Sequence, residues 1–252
     1  MEKKFLEPLL TECTKFTKNI AVSYGDKLYD GTEDDVEGFL MYFKYKYPFI
    51  KFLKYTVDLT KTDLKGVVKR PTAYWCNLAR WNGFQALKEN VSWFMFIDGD
   101  EIPEGNEVLK WLQVTQLDQN FVYKLANYWY FKHVTFQAQT WEDSILLVHS
   151  RYLTEQSVFH DLERDGIIKV ANTHQKRKVD SLSGKPMFHH FSWVRGKEGL
   201  AKKLSTWAHR DDIFHGVDVK SIVDFIYKND EVNDCVHNYK YTRVEDIFNI
   251  GL

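Results

Sequence analysis

The run Trp93-Phe94-Met95-Phe96-Ile97-Asp98-Gly99-Asp100-Glu101-Ile102-Pro103-Glu104-Gly105 decides how the rest of this chain is read. Its five leading apolar residues, Trp93 to Ile97, have the continuity of a strand buried on both faces, as strands of parallel sheets are. The run then stops at a carboxylate. In open α/β sheets ligands bind beyond the carboxyl ends of the strands, so the pattern predicts Asp98 and Asp100 at the lip of such a crevice. Gly99 between them has no side chain to obstruct a ligand's close approach. Two carboxylates this near repel one another, and a hard divalent cation relieves the repulsion while keeping positions open for phosphate oxygens. The competing reading is an acidic turn that caps a helix expected over Asn106 to Gln116, since carboxylates suit helix N-termini. The buried strand ahead of the turn favours the cation.

Toward the amino end, apolar residues at 5, 6, 9, 10, 13 and 16 have helical spacing and predict one buried face. Asn19 to Tyr24 reads as a strand, followed by the acidic turn chemistry of Gly25-Asp26 and Asp30-Gly31-Thr32. A helix is expected from about Asp34 to Tyr45, a strand from Phe49 to Asp58, and a long helix from Pro71 to about Glu89. Arg80 lies in that last helix. Its guanidinium suits two phosphate oxygens, or alternatively a surface acid such as Glu89.

Toward the carboxyl end, Phe121 to Phe131 and Val134 to Thr140 predict a hairpin or two neighbouring strands rich in aromatic residues. Glu142-Asp143 comes next, ahead of a strand-like Ser144 to His149. Ile167 to Val170 predicts a short strand, Asn172 to Gly184 a basic loop, and Met187 to Phe191 a strand. On an extended strand His189 and His190 point to opposite faces, so only one of them can face a crevice. Two helices are expected over Lys197 to His209 and Val217 to Asn229, the second within a helical carboxyl-terminal extension over 213–252.

An apolar strand ending in Asp-x-Asp-Glu, a preceding helix with Ala79-Arg80 and Asn82-Gly83, the early acidic turn and a late His190-Phe191-Ser192-Trp193 occur here in order. Together they resemble the nucleotide-sugar glycosyltransferases of the GT-A fold, family-2-like branch, over roughly Phe5 to Asp212. The resemblance implies a single α/β domain over 1–252 with a Rossmann-like central mixed sheet flanked by helices. It implies Mn²⁺ or Mg²⁺ held by Asp98, Asp100 and His190, and transfer of a sugar from a nucleoside-diphosphate sugar to a carbohydrate or glycoconjugate hydroxyl. It further implies Asp26 near the donor's base, Arg80 on the diphosphate, and Gly99, Glu101, Trp193 and Arg195 in substrate contact. Inverting relatives carry an acidic pair where Glu142-Asp143 stands, which makes Asp143 the general base and Glu142 its helper. One departure is plain: the family opens on a strand, and this chain opens on a helix.

The composition is compatible with that reading. With 252 residues, 44% hydrophobic, the chain can build one sizeable core. A net charge of −1 gives no overall basic field toward nucleic acid or anionic lipid. Three isolated cysteines have no zinc or dithiol spacing and fit a reducing compartment. The first residues lack the apolar core of a signal peptide, and no apolar run approaches the ~20 residues of a membrane helix. A soluble cytosolic protein is expected. Two rival readings are a silent carbohydrate-binding or scaffolding domain of the same fold, and a sugar nucleotidyltransferase, whose Gly-rich phosphate loop is absent here.

Overall fold

The computed structural model describes residues 3–28, 31–58, 60, 71–171, 174–206, 216–229 and 231–251. Asp30 lies outside the described residues, as do Asn172 and Thr173 at the start of the expected basic loop. In chain order the elements are α1 (Lys3–Cys13), β1 (Ala21–Gly25), α2 (Glu37–Lys46), β2 (Lys51–Tyr55), α3 (Pro71–Leu87) and β3 (Trp93–Phe96). They continue through β4 (Glu101–Pro103), α4 (Gly105–Val114), β5 (Phe121–Phe131), β6 (Phe136–His149), α5 (Glu155–Val158) and α6 (Arg164–Ala171). The last are β7 (His174–Val179), β8 (Phe188–Trp193), α7 (Lys197–Thr206), α8 (Val219–Ile226) and β9 (Tyr241–Arg243).

The fold is mixed α/β, with an open mixed sheet flanked by helices. Its backbone is the long β5–β6 antiparallel hairpin. Both strands are long enough to take two neighbours on one edge. Antiparallel β3 and β9 share the outer edge of β6, while β7 and β8 both run parallel to β5 along its other edge. Antiparallel β4 closes the far side beyond β8. A separate two-stranded parallel sheet pairs β1 with β2.

Alternation along the hairpin splits the core into two layers. Val122, Leu146 and Val148 face one way and pack with Phe84 and Leu87 of α3 and Ile167 of α6. Tyr123, Leu125, Ile145 and Leu147 face the other way, onto Val108 and Trp111 of α4. The helices therefore cover both faces. Helix α1 straddles the two sheets, with Phe5, Leu9 and Cys13 on the large one and Leu6 and Leu10 on the small one. Each buried Phe or Leu of this kind contributes roughly 1.5–3 kcal/mol. The carboxyl end of α1 approaches the start of α4 so closely that a Cβ at Gly105 would lie 2.2 Å from the Glu12 carbonyl oxygen.

Helix α3 fixes the relative direction of β1 and β3. Its Gly83 lies beside Ala21 at the start of β1, and Phe84 packs on Phe94 near the start of β3. Earlier on the helix, Trp75 stacks on Tyr55, which pairs with Gly25 at the end of β1, and Arg80 reaches Asp98 just past β3. The two strands run the same way, and their carboxyl ends open on one side.

Several sequence expectations are corrected. Strand β3 is antiparallel to its neighbour β6 and is not buried on both faces: Phe94 and Phe96 are buried, Trp93 and Met95 half-buried. The cause is its other edge, which faces a cavity. Helix α2 starts at Glu37 because Asp34 donates its N–H back to the Asp26 carbonyl and Lys27 bridges Glu33. Residues 167–170 are helical, within α6, and 174–179 form β7 where a loop was expected. Among the described residues of the expected carboxyl-terminal helical extension, only those of α8 are helical. Beyond it Asp234 accepts N–H groups from Val236, His237 and Tyr239, a side-chain turn that competes with helix, and β9 then pairs with β6.

Candidate active site

Beyond the carboxyl ends of β1 and β3 lies the mouth of a cavity of about 1330 Å³. The tight turn from β3 to β4 brings Asp98, Gly99 and Asp100 to it, and β8 supplies His190, which pairs in register with Glu101. His190 lines the cavity with its Nε2 3.7 Å from Asp100 Oδ1 and Trp129 edge-on to its ring at 4.9 Å. Its Nδ1 is buried and has no hydrogen-bond partner. His189 turns the other way. It meets the Tyr130 hydroxyl through Nδ1 at 2.8 Å and the Glu104 carboxylate through Nε2 at 2.9 Å, and burial lowers its pKa against the opposing pull of Glu104.

The two carboxylates are ringed by cations. Arg80 donates to Asp98 at 3.2 Å and Arg164 lies 3.4 Å from it. Although its surroundings oppose charge, those guanidinium groups, Arg164 foremost, hold Asp98 well below the usual carboxylate range. Asp100 meets Arg195 at 3.5 Å and Lys203 at 3.8 Å. Burial works to raise its pKa, but Lys203, His190 and Arg195 together hold it down. The repulsion expected between the aspartates is thus relieved within the protein itself. Among the described residues no group of three or more His, Cys, Asp or Glu side chains is gathered closely enough to hold a metal ion.

Several residues expected at the site have other surroundings. Glu101 is fully buried and absent from the cavity wall: it accepts the Asp98 N–H at 2.7 Å and both arms of Arg164, so it supports the turn from behind. Asp26 accepts the Val57 N–H at 2.9 Å and locks the ends of β1 and β2 together, while Asp34 lines the cavity. Trp193 is buried with its ring stacked on Phe131, so it meets the cavity from within the core. Arg80 is 9% exposed and bound to Asp98 and Glu163, not to Glu89. Gly99 and Arg195 lie on the wall as expected.

Glu142 and Asp143 fall in the middle of β6, so their side chains leave on opposite faces and neither lines the cavity. Asp143 lies 3.8 Å from Lys124, which also binds Asp165. Glu142 accepts from the Tyr239 hydroxyl and lies 3.5 Å from His237, on the carboxyl-terminal segment.

Among the wall residues that escaped the sequence reading are Glu163, Arg164, Lys203 and His237. Glu163 has a left-handed φ of +51°, but Lys132, Asn238 and Asn249 have similar values, so the backbone does not single it out. The charged triplet Glu163-Arg164-Asp165 was the available signal in the sequence, and it sits in a stretch with no motif. The chain matches no protein-family model and no curated protein sequence.

Proposed function

We propose that this chain is a metal-dependent glycosyltransferase of the GT-A type that moves a sugar from a nucleoside-diphosphate sugar to an acceptor hydroxyl with inversion. The observation that carries the reading is the convergence of Asp98, Asp100 and His190 on one mouth within a ring of Arg80, Arg164, Arg195 and Lys203. Carboxylate oxygens suit a hard cation, and His190 turns its Nε2 toward Asp100 Oδ1, 3.7 Å away. Asp98, Asp100 and His190, which line one mouth without being gathered to metal-binding distance, would hold Mn²⁺ or Mg²⁺ by closing on it, and the ion would supply Lewis-acid stabilisation of a leaving diphosphate.

The chain's own groups do the rest. Arg80 and Arg195 offer planar forks and Lys203 a point charge to phosphate oxygens, which placement at the carboxyl end of β3 brings within reach of a donor. Trp129, buried and packed against the rings of His190 and His237, backs the neighbouring side of the wall. For removal of the acceptor proton, Glu163 is better placed than Asp143, because Glu163 is on the wall.

A second reading draws on one specific fact: Asp98 and Asp100 are already neutralised by four cationic side chains. A silent domain that binds a polyanionic sugar nucleotide without metal has the same appearance. A thermal-shift panel of nucleotide sugars, with and without Mn²⁺, separates the two, since a ligand that binds the folded state raises its stability. The enzyme reading expects one nucleotide class to stabilise the protein strongly, and only with Mn²⁺. Stabilisation indifferent to Mn²⁺ favours the silent domain, and none from any nucleotide sugar overturns both.

A further inference from the structure

Helix α2 is apolar on two sides. Its inner residues Leu40 and Phe43 are buried with Leu6 and Leu10 of α1 and Tyr24 of β1. A surface helix that buries one stripe normally turns charged and polar residues to water on the opposite one. Here the opposite stripe, at the i, i+3, i+4, i+7 spacing of a single helical face, is Gly38, Met41, Tyr42 and Tyr45. Met41 is 69% exposed, Tyr42 53% and Tyr45 89%, and Phe49 just past the helix is 39% exposed. Apolar residues scattered singly over a surface need no explanation, but four large ones within nine residues of chain form a patch of the kind that marks an interaction site.

The rim of the patch is basic. Lys46 lies 5.4 Å from the ring centroids of Tyr42 and Tyr47, and Lys18, in the loop after α1, lies 4.7 Å from that of Phe49. Lys44 stands over Tyr24, and exposed Lys54 leaves β2 on the same side as Phe52, the side that α2 covers. Two acids pair within this group, Glu7 with Lys46 at 2.7 Å and Glu37 with Lys44 at 3.7 Å. Between residues 37 and 56 the chain carries four lysines against the one acid Glu37, on a molecule whose net charge is −1. None of Met41, Tyr42, Tyr45 and Phe49 lines the cavity. Helix α2 starts near Asp34, which is tied to Asp26 past the carboxyl end of β1, and leads back to Lys51, which pairs with Ala21 at the start of β1. The exposed stripe therefore runs down a flank, from the level of the mouth toward the opposite end.

This mixture of rings and lysines selects among partners. The core of a protein–protein interface is depleted of lysine. A two-fold contact with a second copy sets the same patch against itself, and so lysines against lysines. A bilayer surface satisfies both components: tyrosine rings settle at headgroup level with their hydroxyls wet, lysines extend toward phosphate, and an anionic leaflet attracts the basic rim.

We propose that the outer face of α2 rests on a membrane surface that contains anionic lipid, with Met41, Tyr42, Tyr45 and Phe49 among the headgroups and Lys18, Lys44, Lys46 and Lys54 toward phosphate. The contact is peripheral, and the mouth of the cavity opens sideways, along the membrane plane. This inference does not depend on the metal or the donor.

The test is cosedimentation of the full chain with sucrose-loaded vesicles of phosphatidylcholine alone, or of phosphatidylcholine with one third phosphatidylserine, at low and high salt. The parent protein is expected to bind the phosphatidylserine vesicles at least tenfold more tightly than the neutral ones, and to lose that preference at high salt. Met41→Gln with Tyr45→Gln, which keeps a good helix former at both positions, should weaken binding at least tenfold with Tm unchanged. A control pair on equally exposed apolar residues elsewhere, Val114→Gln with Leu182→Gln, should bind as the parent does. Lys18→Glu with Lys54→Glu should abolish the preference for phosphatidylserine. The proposal is overturned if the parent does not bind the phosphatidylserine vesicles, which would leave the face to a protein partner, or if it binds both kinds equally. It is also overturned if the control pair loses as much as the α2 pair, if the lysine reversals leave the preference intact, or if the parent is a dimer in solution that the α2 pair separates.

Discussion

Arg164 of α6 grips Glu101 of β4 through both carboxylate oxygens, at 2.7 and 2.9 Å, directly behind the turn that carries Asp98 and Asp100. Glu101 is 0% exposed and also accepts the Asp98 N–H. Breaking one partner of a buried pair leaves an uncompensated charge, at a cost of about 3–5 kcal/mol. Glu101→Gln is therefore expected to lower unfolding stability by roughly that amount, read from urea denaturation. A loss under ~1 kcal/mol would show that the pair does not hold the turn.

The two adjacent histidines should separate cleanly. His189→Ala removes the shared partner of Tyr130 and Glu104 and should destabilise by about 1–3 kcal/mol, with little change in ligand affinity. His190→Ala should spare stability and weaken Mn²⁺-dependent nucleotide-sugar binding. Equal effects of the two substitutions on affinity would remove the distinction drawn from strand alternation.

His189 also gives a pH dependence with a definite sign. Its folded pKa is lowered by burial, so below its ordinary value of 6.5 the unfolded chain binds a proton that the folded chain refuses. The stability associated with the neutral ring is complete above about pH 6.5 and is lost as pH falls toward the folded pKa. Denaturation at pH 7.5 and 5.5 should show this slope in the parent protein and a shallower one in His189→Gln. An unchanged slope would place its origin elsewhere.

How much of this was legible beforehand depended on the range of the contacts involved. The Asp98-Gly99-Asp100 turn was readable because an apolar run and its terminal carboxylates are local. That His189 and His190 face opposite ways was readable because alternation is a local rule, while the choice of His190 came from the resemblance of His190-Phe191-Ser192-Trp193. Arg164 was not, since its partners Asp98 and Glu101 lie more than sixty residues away and its own helix reads as a strand. Ile167, Ile168 and Val170 carry β propensity, and the α5–α6 packing overrides it. Glu142-Asp143 misled because a dipeptide gives no sign of sitting mid-strand, where its two members must diverge. The role of the carboxyl-terminal segment rests on the contact of His237 with Trp129, 108 positions apart in numbering and 4.7 Å apart in space.

Placement of the acceptor base can be settled by comparing two amides. Glu163 lines the cavity beside Arg80, whereas Asp143 sits off the wall near Lys124. Glu163→Gln is expected to lower turnover by roughly 10²- to 10⁴-fold, the usual share of a positioned proton acceptor, and Asp143→Asn by far less. NMR of the product should show an inverted anomeric centre. A fully active Glu163→Gln protein with an inactive Asp143→Asn protein would restore Asp143 to that role.

The central claim is that Asp98 and Asp100 hold a divalent cation for a nucleoside-diphosphate sugar, and calorimetric titration with Mn²⁺ present and absent tests it most directly. For the parent protein, the nucleotide sugar that stabilises it in the thermal panel should bind with Mn²⁺ and lose at least tenfold in affinity without it. Asp100→Asn, still folded by circular dichroism, should bind no better with Mn²⁺ than without. Unchanged Mn²⁺-dependent affinity in folded Asp100→Asn, or parent affinity indifferent to Mn²⁺, would contradict the account.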